Sequence, residues 1–144
     1  MILLLKVRIK NKGGYIMKDK LLKLLENSYS PYSKFRVAAI AVMKDGKEFC
    51  GVNVENASYG VANCAERSAI FSAISNGYKR YDFEELHVMC DSDKIGTCCF
   101  VCRQVISEMF EKGKKVTCYT RNGEFEEFTV EELCPYPFSD DNLN

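Results

Sequence analysis

Apolar and polar positions along this chain switch between helical and extended spacing. Residues 17–29 carry leucines at helical spacing among lysines, which predicts an amphipathic helix. The Ser-Pro-Tyr-Ser stretch at 30–33 ends this helix, because proline disfavours helical backbone in the residue before it. Residues 35–43 are apolar on both faces and predict a central strand. An Asp-Gly pair then predicts a hairpin turn into a second strand over 47–54.

Beyond the hairpin, helices and strands alternate. A helix is predicted from Cys64 to Asn76-Gly77, a common helix end, and a strand over 85–90. The stretch "CCFVC" leads into a helix that is predicted to stop at Gly113. "KVTCYT" and "EFEEFTV" predict a fourth and a fifth strand, and "VEELCPYPF" a terminal turn and tail. This order predicts an α/β fold, a three-layer α-β-α sandwich around a five-stranded mixed sheet.

The length of the chain, 144 residues, fits one domain with its own core, which we expect over residues 17–144. Residues 1–16 raise a separate question. Codons for the Gly-Gly pair at 13–14 resemble a bacterial ribosome-binding site, and Met17 follows at the distance of a start codon. We therefore expect residues 1–16 to be either a non-native translated leader or a flexible arm.

Composition restricts the classes of partner. Lys plus Arg equals Asp plus Glu at 20 each, so no basic surface indicates a nucleic-acid partner, and a small neutral substrate is favoured. The apolar run at the N-terminus is too short for a signal peptide. No stretch approaches the roughly 20 apolar residues of a membrane span. These features predict a cytoplasmic protein that binds neither nucleic acid nor membrane.

The chain has eight cysteines and a single histidine, so a metal site must consist mainly of sulfur. Without a secretory signal, cysteines are more often buried or metal-bound than paired in disulfides. Cys64 begins one predicted helix, and the Cys99-x-x-Cys102 pair begins another. Helices of this kind start at one edge of the sheet, where open α/β sheets bind ligands. Three thiolates there would hold a tetrahedral Zn²⁺ with one position open, as in catalytic zinc sites.

Two charged residues next to Cys64 suit such a site. Glu66 lies two positions after it, and a carboxylate beside an open zinc position can take a proton from water and pass it on. Cys-x-Glu followed by Cys-x-x-Cys is typical of zinc-dependent nucleobase deaminases in their all-cysteine form. Three thiolates leave a zinc site with a net negative charge. A guanidinium at Arg67, hydrogen-bonded to sulfur, would offset that charge.

Several longer stretches resemble one family nearly end to end from Met17. "SPYSKFRVAA", "NVENASYG", "CAERSAIFSAISNG", "CRQVISEMF" and "TVEEL" are similar to segments of the small homotetrameric zinc-dependent cytidine deaminases. The resemblance implies their fold and the hydrolytic deamination of cytidine and deoxycytidine to uridine and deoxyuridine, with release of ammonia, in pyrimidine salvage. It also implies a homotetramer with shared active sites. Cys64, Cys99 and Cys102 would be the zinc ligands and Glu66 the proton shuttle.

The same resemblance implies how a pyrimidine nucleoside is bound. Asn53 and Glu55 would hold the ribose hydroxyls, and their spacing places both side chains on one face of an extended strand. Phe35 would pack against the base. The other implied substrate contacts are Ala65 and, from neighbouring subunits, Ala57, Tyr59 and Phe138.

The chain departs from the family pattern ahead of the Cys-x-x-Cys pair. The family usually has a proline before the first of these cysteines and small residues between them, whereas this chain has Cys98 and Phe100. Without the proline, the backbone next to a ligand loses its fixed φ angle. We expect Phe100 to narrow the site and Cys98 to compete as a ligand or to oxidise. Gln104, two residues after Cys102, is expected to be an exposed helical residue, with support of the metal ligands as the alternative.

Two other functions stay open. One is deamination of another aminated base or of a nucleoside antibiotic by the same zinc chemistry. The Asn53 and Glu55 pair favours a nucleoside, since a free base has no hydroxyl groups for them. The other is a structural zinc protein without activity, and Glu66 argues against it because a structural site has no use for a carboxylate beside an open position. An RNA-editing deaminase would be expected to carry a histidine in place of Cys64.

Overall fold

The computed structural model describes residues 12–143, so the expected leader or arm over residues 1–16 lies largely outside the described residues. Within this range the chain alternates strands and helices as predicted. The elements in chain order are α1 (Lys12–Leu25), β1 (Val37–Met43), β2 (Glu48–Val52), α2 (Ala65–Ser75), β3 (Phe83–Cys90), α3 (Phe100–Met109), β4 (Lys115–Tyr119), β5 (Phe125–Thr129) and α4 (Val130–Leu133). Short 3-10 turns lie at Tyr59–Val61 and Asp140–Leu143.

The five strands form one mixed sheet in the order β2-β1-β3-β4-β5. Strand β1 is antiparallel to both of its neighbours, β3 and β4 are parallel, and β4 and β5 are antiparallel. Strands β2 and β3 therefore run in the same direction, although β1 lies between them. Because α2 follows β2 and α3 follows β3, both helices begin at the same edge of the sheet. This is the edge at which the sequence predicts the ligand site.

Helices cover both faces of the sheet. On one face, Leu21 and Leu25 of α1 pack against a cluster that includes Ile40 of β1. On the other face, α2 and α3 pack against the alternate residues of the same strands, such as Ala39 of β1 and Val88 of β3. Alternate residues of a strand point to opposite faces, which explains why β1 is apolar throughout. The three-layer α-β-α sandwich is thereby confirmed. None of the helices in residues 12–143 is long and apolar enough to cross a bilayer.

Two helices end earlier than their sequence pattern predicts, and in both cases a tertiary contact is responsible. After α1, Tyr29 leaves the helix because its N–H donates to the carbonyl oxygen of Asn53 and its own carbonyl accepts from Glu55. After α3, Phe110 adopts an extended backbone and is buried against Phe83, with the ring centroids 4.8 Å apart. Burial of a large aromatic ring outweighs the local preference to continue a helix.

Gly51 allows α2 to approach β2 closely. A Cβ atom at this position would lie 2.4 Å from the carbonyl oxygen of Ala65 and 2.4 Å from the backbone nitrogen of Ala69. Both are backbone atoms of α2, so they cannot give way unless the helix moves. Since Cys64 and Glu66 lie at the start of this helix, Gly51 controls how close they come to the sheet.

We expect Gly51→Ala to lower the free energy of unfolding by about 1–3 kcal/mol, the usual cost of overpacking a core. Gly113→Ala is the control, because a Cβ atom there meets no atom within 4 Å. Chemical denaturation of the two variants and the parent chain measures the difference. Equal stabilities for the two variants would contradict the close packing of α2 on β2.

Candidate metal centre

The starts of α2 and α3 bring three thiols together. Cys64 is the N-cap residue of α2, Cys99 is the N-cap residue of α3, and Cys102 lies in the first turn of α3. Their Sγ atoms all lie within 4.8 Å of one another, and those of Cys64 and Cys99 are 3.8 Å apart. All eight cysteines of the chain are free thiols, so no disulfide competes for these sulfur atoms.

The arrangement of the three thiols fits a tetrahedral zinc ion. With zinc–sulfur bonds of about 2.3 Å, two ligands of a tetrahedron lie about 3.8 Å apart. The Sγ atoms of Cys64 and Cys99 have this separation. Three thiolates are one ligand fewer than a structural zinc site uses, which leaves a position for water or substrate. Cys102 is buried whereas Cys99 is exposed, so the cluster opens to solvent on the side of Cys99.

Hydrogen bonds to the sulfur atoms favour the thiolate form. Nη2 of Arg67 donates to Sγ of Cys64 at 3.4 Å, and the backbone N–H of Cys102 donates to Sγ of Cys99 at 3.4 Å. Hydrogen bonding from the thiol of Cys102, helped by Arg67 and opposed by burial, lowers the pKa of Cys64 to about 5. The same hydrogen bond, together with burial, raises the pKa of Cys102. In the absence of metal, Cys64 therefore ionises before Cys102.

Glu66 is a buried carboxyl group beside the cluster. Only 5% of the residue is exposed, and interactions with the thiols of Cys98 and Cys102 partly offset the effect of burial on the pKa of its carboxyl group. Burial is the main cause that raises the pKa of Glu66. A carboxyl group with a raised pKa next to a candidate metal site is suited to accept a proton and return it.

The two residues that depart from the family pattern lie outside the three-thiol cluster. Cys98 is buried, and interactions with Cys118 of β4 and with Glu66, together with burial, raise the pKa of its thiol. The cluster includes Cys99 and not Cys98. Phe100 is 76% exposed, and its ring lies 4.5 Å from the guanidinium of Arg103. This ring is directed to solvent, which does not support the expected narrowing of the site.

Arg103 holds the loop that carries Cys99, a role absent from the sequence-based predictions. Its Nε donates to the carbonyl oxygen of Cys98 at 2.7 Å, and its Nη2 donates to Oγ1 of Thr97 at 2.8 Å. Its Nη1 donates to the carbonyl oxygen of Leu133, at the end of α4, at 2.9 Å. A charged residue directly after a metal-ligand candidate is the signal that points to such a role.

Asn53 is held in place by the backbone at the start of β1. Its Oδ1 accepts from the N–H of Val37 at 2.8 Å, and its Nδ2 donates to the carbonyl oxygen of Phe35 at 2.8 Å. The amide therefore links the end of β2 to Phe35, another predicted substrate residue. Phe35 itself is exposed, as a residue that contacts a ligand requires.

Glu55 lines a cavity of about 370 Å³, together with Tyr32, Ser33, Asn56, Tyr59 and Ala62. Its Oε1 accepts from the N–H groups of Tyr32 and Ser33, at 3.0 and 3.1 Å. Hydrogen bonding from Ser33 is the main cause that lowers the pKa of Glu55, so this carboxylate is ionised. Asn53 and Glu55 are thus both oriented before any ligand binds.

The remaining predicted substrate residues differ in their accessibility. Ala57 is exposed, Tyr59 is 76% exposed and Phe138 is 59% exposed. The ring of Tyr59 contacts that of Tyr32, with the centroids 5.9 Å apart. Ala65 is fully buried, so only its backbone is left to meet a substrate.

Comparison with known proteins identifies a family of deaminases. The model of the "Cytidine and deoxycytidylate deaminase zinc-binding region" matches residues 14–120. A cytidine deaminase from Halalkalibacterium halodurans is 43% identical over 119 residues, 83% of this chain and 89% of that protein. A cytidine deaminase from Sporosarcina psychrophila is 40% identical over 122 residues, 85% of this chain and 88% of that protein.

A solved structure agrees with the sequence relatives. The crystal structure of cytidine deaminase from Burkholderia pseudomallei matches with a TM-score of 0.81 at 37% sequence identity. The match covers 90% of this chain and 100% of that one. The similarity therefore extends over the sheet and over both helices that carry the three thiols.

Proposed function

This chain belongs to the cytidine and deoxycytidylate deaminase family, and from that membership we propose how its residues carry out the reaction. It is a zinc-dependent hydrolase that deaminates cytidine to uridine, and we propose that it converts deoxycytidine to deoxyuridine as well. The observation that carries the proposed mechanism is the buried carboxyl group of Glu66 beside three thiols with the spacing of zinc ligands.

Cys64, Cys99 and Cys102 are the proposed zinc ligands. When bound there, the ion supplies Lewis acidity, which lowers the pKa of a water molecule. The hydrogen bond from Arg67 to Cys64 and the starts of two helices offset the negative charge of the thiolates. Arg67 is therefore proposed to support the metal site without contact to the substrate.

Glu66 is the proposed carrier of the proton. Its carboxylate accepts a proton from the attacking water, whose oxygen forms a bond to C4 of the cytosine ring. The bond from C4 to the amino nitrogen then breaks, and ammonia leaves. Of the two hydrogens of the water, one ends on ring nitrogen N3 and the other on ammonia. Glu66 returns each proton that it takes, so it is unchanged at the end of the cycle.

Asn53 and Glu55 are proposed to bind the ribose hydroxyls, and Phe35 is proposed to pack against the base. Their fixed orientation supports this, since a preorganised site orders fewer groups when the substrate binds. We further propose a cytoplasmic homotetramer in pyrimidine salvage, in which neighbouring subunits complete each site. The support is the exposure of Tyr59 and Phe138 in the single chain, because large exposed aromatic side chains often mark an interface. The remaining proposed contacts are Ala57 and the backbone of Ala65.

We expect Glu55→Gln to raise the KM for cytidine by about fivefold to tenfold, since hydrogen bonds to a charged acceptor are roughly twice as strong as neutral ones. The rate with free cytosine should be unchanged, because this base has no ribose. Glu131→Gln, an exposed residue of α4, is the control and should behave like the parent chain. An equal loss with cytidine and with cytosine would contradict the ribose role.

A panel of nucleosides tests the proposed function as a whole. The zinc-loaded protein is incubated with cytidine, deoxycytidine, cytosine, adenosine and a cytosine-containing nucleoside antibiotic, and ultraviolet absorbance and ammonia are followed. We expect cytidine and deoxycytidine to be converted and cytosine to react much more slowly. A preference for the antibiotic or for adenosine would support the alternative substrate. No turnover of any compound would support a structural zinc protein.

A further inference from the structure

The C-terminal tail, defined as residues 134–143, is held against its own chain at two points, and the residue just before it is held at a third. Just before the tail, the carbonyl oxygen of Leu133 accepts from Nη1 of Arg103. In its middle, the carbonyl oxygen of Phe138 accepts from Nε2 of Gln104 at 2.8 Å. Further along, the carboxylate of Asp140 pairs with Nη1 of Arg80 at 2.8 Å. Two of the three donors are consecutive residues of α3, directly after Cys102.

Arg80 connects the tail to the far end of α3. Its Nη1 and Nη2 both donate to the carboxylate of Asp140, the second at 3.4 Å, and its Nε donates to the carbonyl oxygen of Glu108 at 3.0 Å. The guanidinium also lies 4.7 Å from the centre of the Tyr81 ring. All three nitrogens of the guanidinium are thus hydrogen-bonded. The bidentate contact with Asp140 fixes both the distance and the relative orientation of the two side chains.

Gln104 contacts the backbone of Phe138 and leaves the aromatic ring available. Phe138 is 59% exposed although its carbonyl group is hydrogen-bonded to α3. A ring used to anchor the tail to its own chain would be buried. The aromatic ring of Phe138 therefore points outward from a segment that is held in place. Gln104, which the sequence predicts only as an exposed helical residue, holds this segment through its hydrogen bond.

We propose that Arg80 and Gln104 are positioning residues, which preorganise the tail so that Phe138 meets the substrate site of a neighbouring subunit. The inference rests on the substrate role proposed above for Phe138. A mobile tail would lose conformational entropy each time it closed over a substrate. A tail already held by Gln104 and Arg80 loses less, which strengthens substrate binding.

The effect should appear in substrate binding and not in the stability of the fold. The side chains of Arg80 and Asp140 are 37% and 49% exposed, and ion pairs at the surface contribute little to global stability. Gln104 likewise contacts the tail and lies on the outer part of α3. A residue that only stabilised the fold would change the unfolding midpoint, and these two should not.

The test compares Arg80→Gln, Gln104→Ala and Phe138→Ala in the zinc-loaded protein. We expect the first two to raise the KM for cytidine by about threefold to tenfold, with unchanged zinc content and unchanged thermal midpoint. Arg121→Gln is the matched control, because it removes a comparable surface pair with Asp93 at 2.9 Å and should leave KM unchanged. The double variant Arg80→Asp, Asp140→Arg should recover most of the affinity.

Digestion of the tail by a carboxypeptidase gives a readout independent of activity. We expect faster digestion for Arg80→Gln and Gln104→Ala than for Arg121→Gln. Unchanged digestion, or faster digestion with an unchanged KM, would overturn the inference. If Phe138→Ala raises KM and the two positioning variants do not, the positioning role alone fails. If Phe138→Ala leaves KM unchanged, the substrate role of Phe138 is wrong, and the positioning role that depends on it is wrong as well.

Discussion

Glu66→Gln is expected to reduce kcat for cytidine by at least about 10²–10⁴, the usual contribution of a general acid–base group. The amide has nearly the shape of the carboxyl group but cannot accept and return a proton. Because one carboxylate is proposed to serve both the water and the departing ammonia, we expect the loss to exceed that of a residue with a single role. Steady-state rates with cytidine measure it.

Zinc analysis and thermal unfolding of the same variant show whether the loss is chemical. Glu66 is 5% exposed and lies beside Cys98 and Cys102, and glutamine has nearly the same size and retains a hydrogen-bonding oxygen there. We therefore expect unchanged zinc content and nearly unchanged stability. A kcat close to that of the parent chain would contradict the proton-transfer role. Loss of zinc would instead assign Glu66 to the support of the metal site.

Cys99→Ala is expected to lose its zinc and, with it, all measurable activity, whereas Cys98→Ala keeps about one zinc per chain. The two residues are adjacent and of the same type, so the pair forms a matched comparison. Cys99 lies in the three-thiol cluster, whereas Cys98 is turned towards Cys118 in the core. Removing one of three thiolates leaves too few ligands for a tight site. Zinc content after dialysis against a weak chelator is the measurement.

The reverse result, with zinc lost from Cys98→Ala and kept by Cys99→Ala, would exchange the two assignments. Both variants should stay folded, because the core of this chain is built from apolar side chains of the sheet and helices. Circular dichroism and thermal unfolding check this. An unfolded Cys99→Ala would mean that the metal contributes to the fold itself, as in a structural zinc site.

Local sequence determined the elements and most of the candidate chemistry. Apolar residues on both faces predict β1 because the strand is covered on both sides, and small residues such as Ala39 and Gly51 leave room for α2. The Cys99-x-x-Cys102 spacing places two thiols within the first turn of one helix. Glu66 lies two residues after Cys64, so both residues lie at the start of α2. These relations span only a few residues, so the periodicity of a helix or strand is enough to predict them.

Tertiary structure decided which distant parts of the chain come into contact. The meeting of Cys64 with Cys99 depends on β2 and β3 running in the same direction across β1. Of two adjacent cysteines, only the packing of the core shows that Cys98 turns inward. The contact of Gln104 with Phe138 joins residues 34 positions apart, and that of Arg80 with Asp140 joins residues 60 apart. No local periodicity connects such residues, because their approach depends on how all the intervening elements pack.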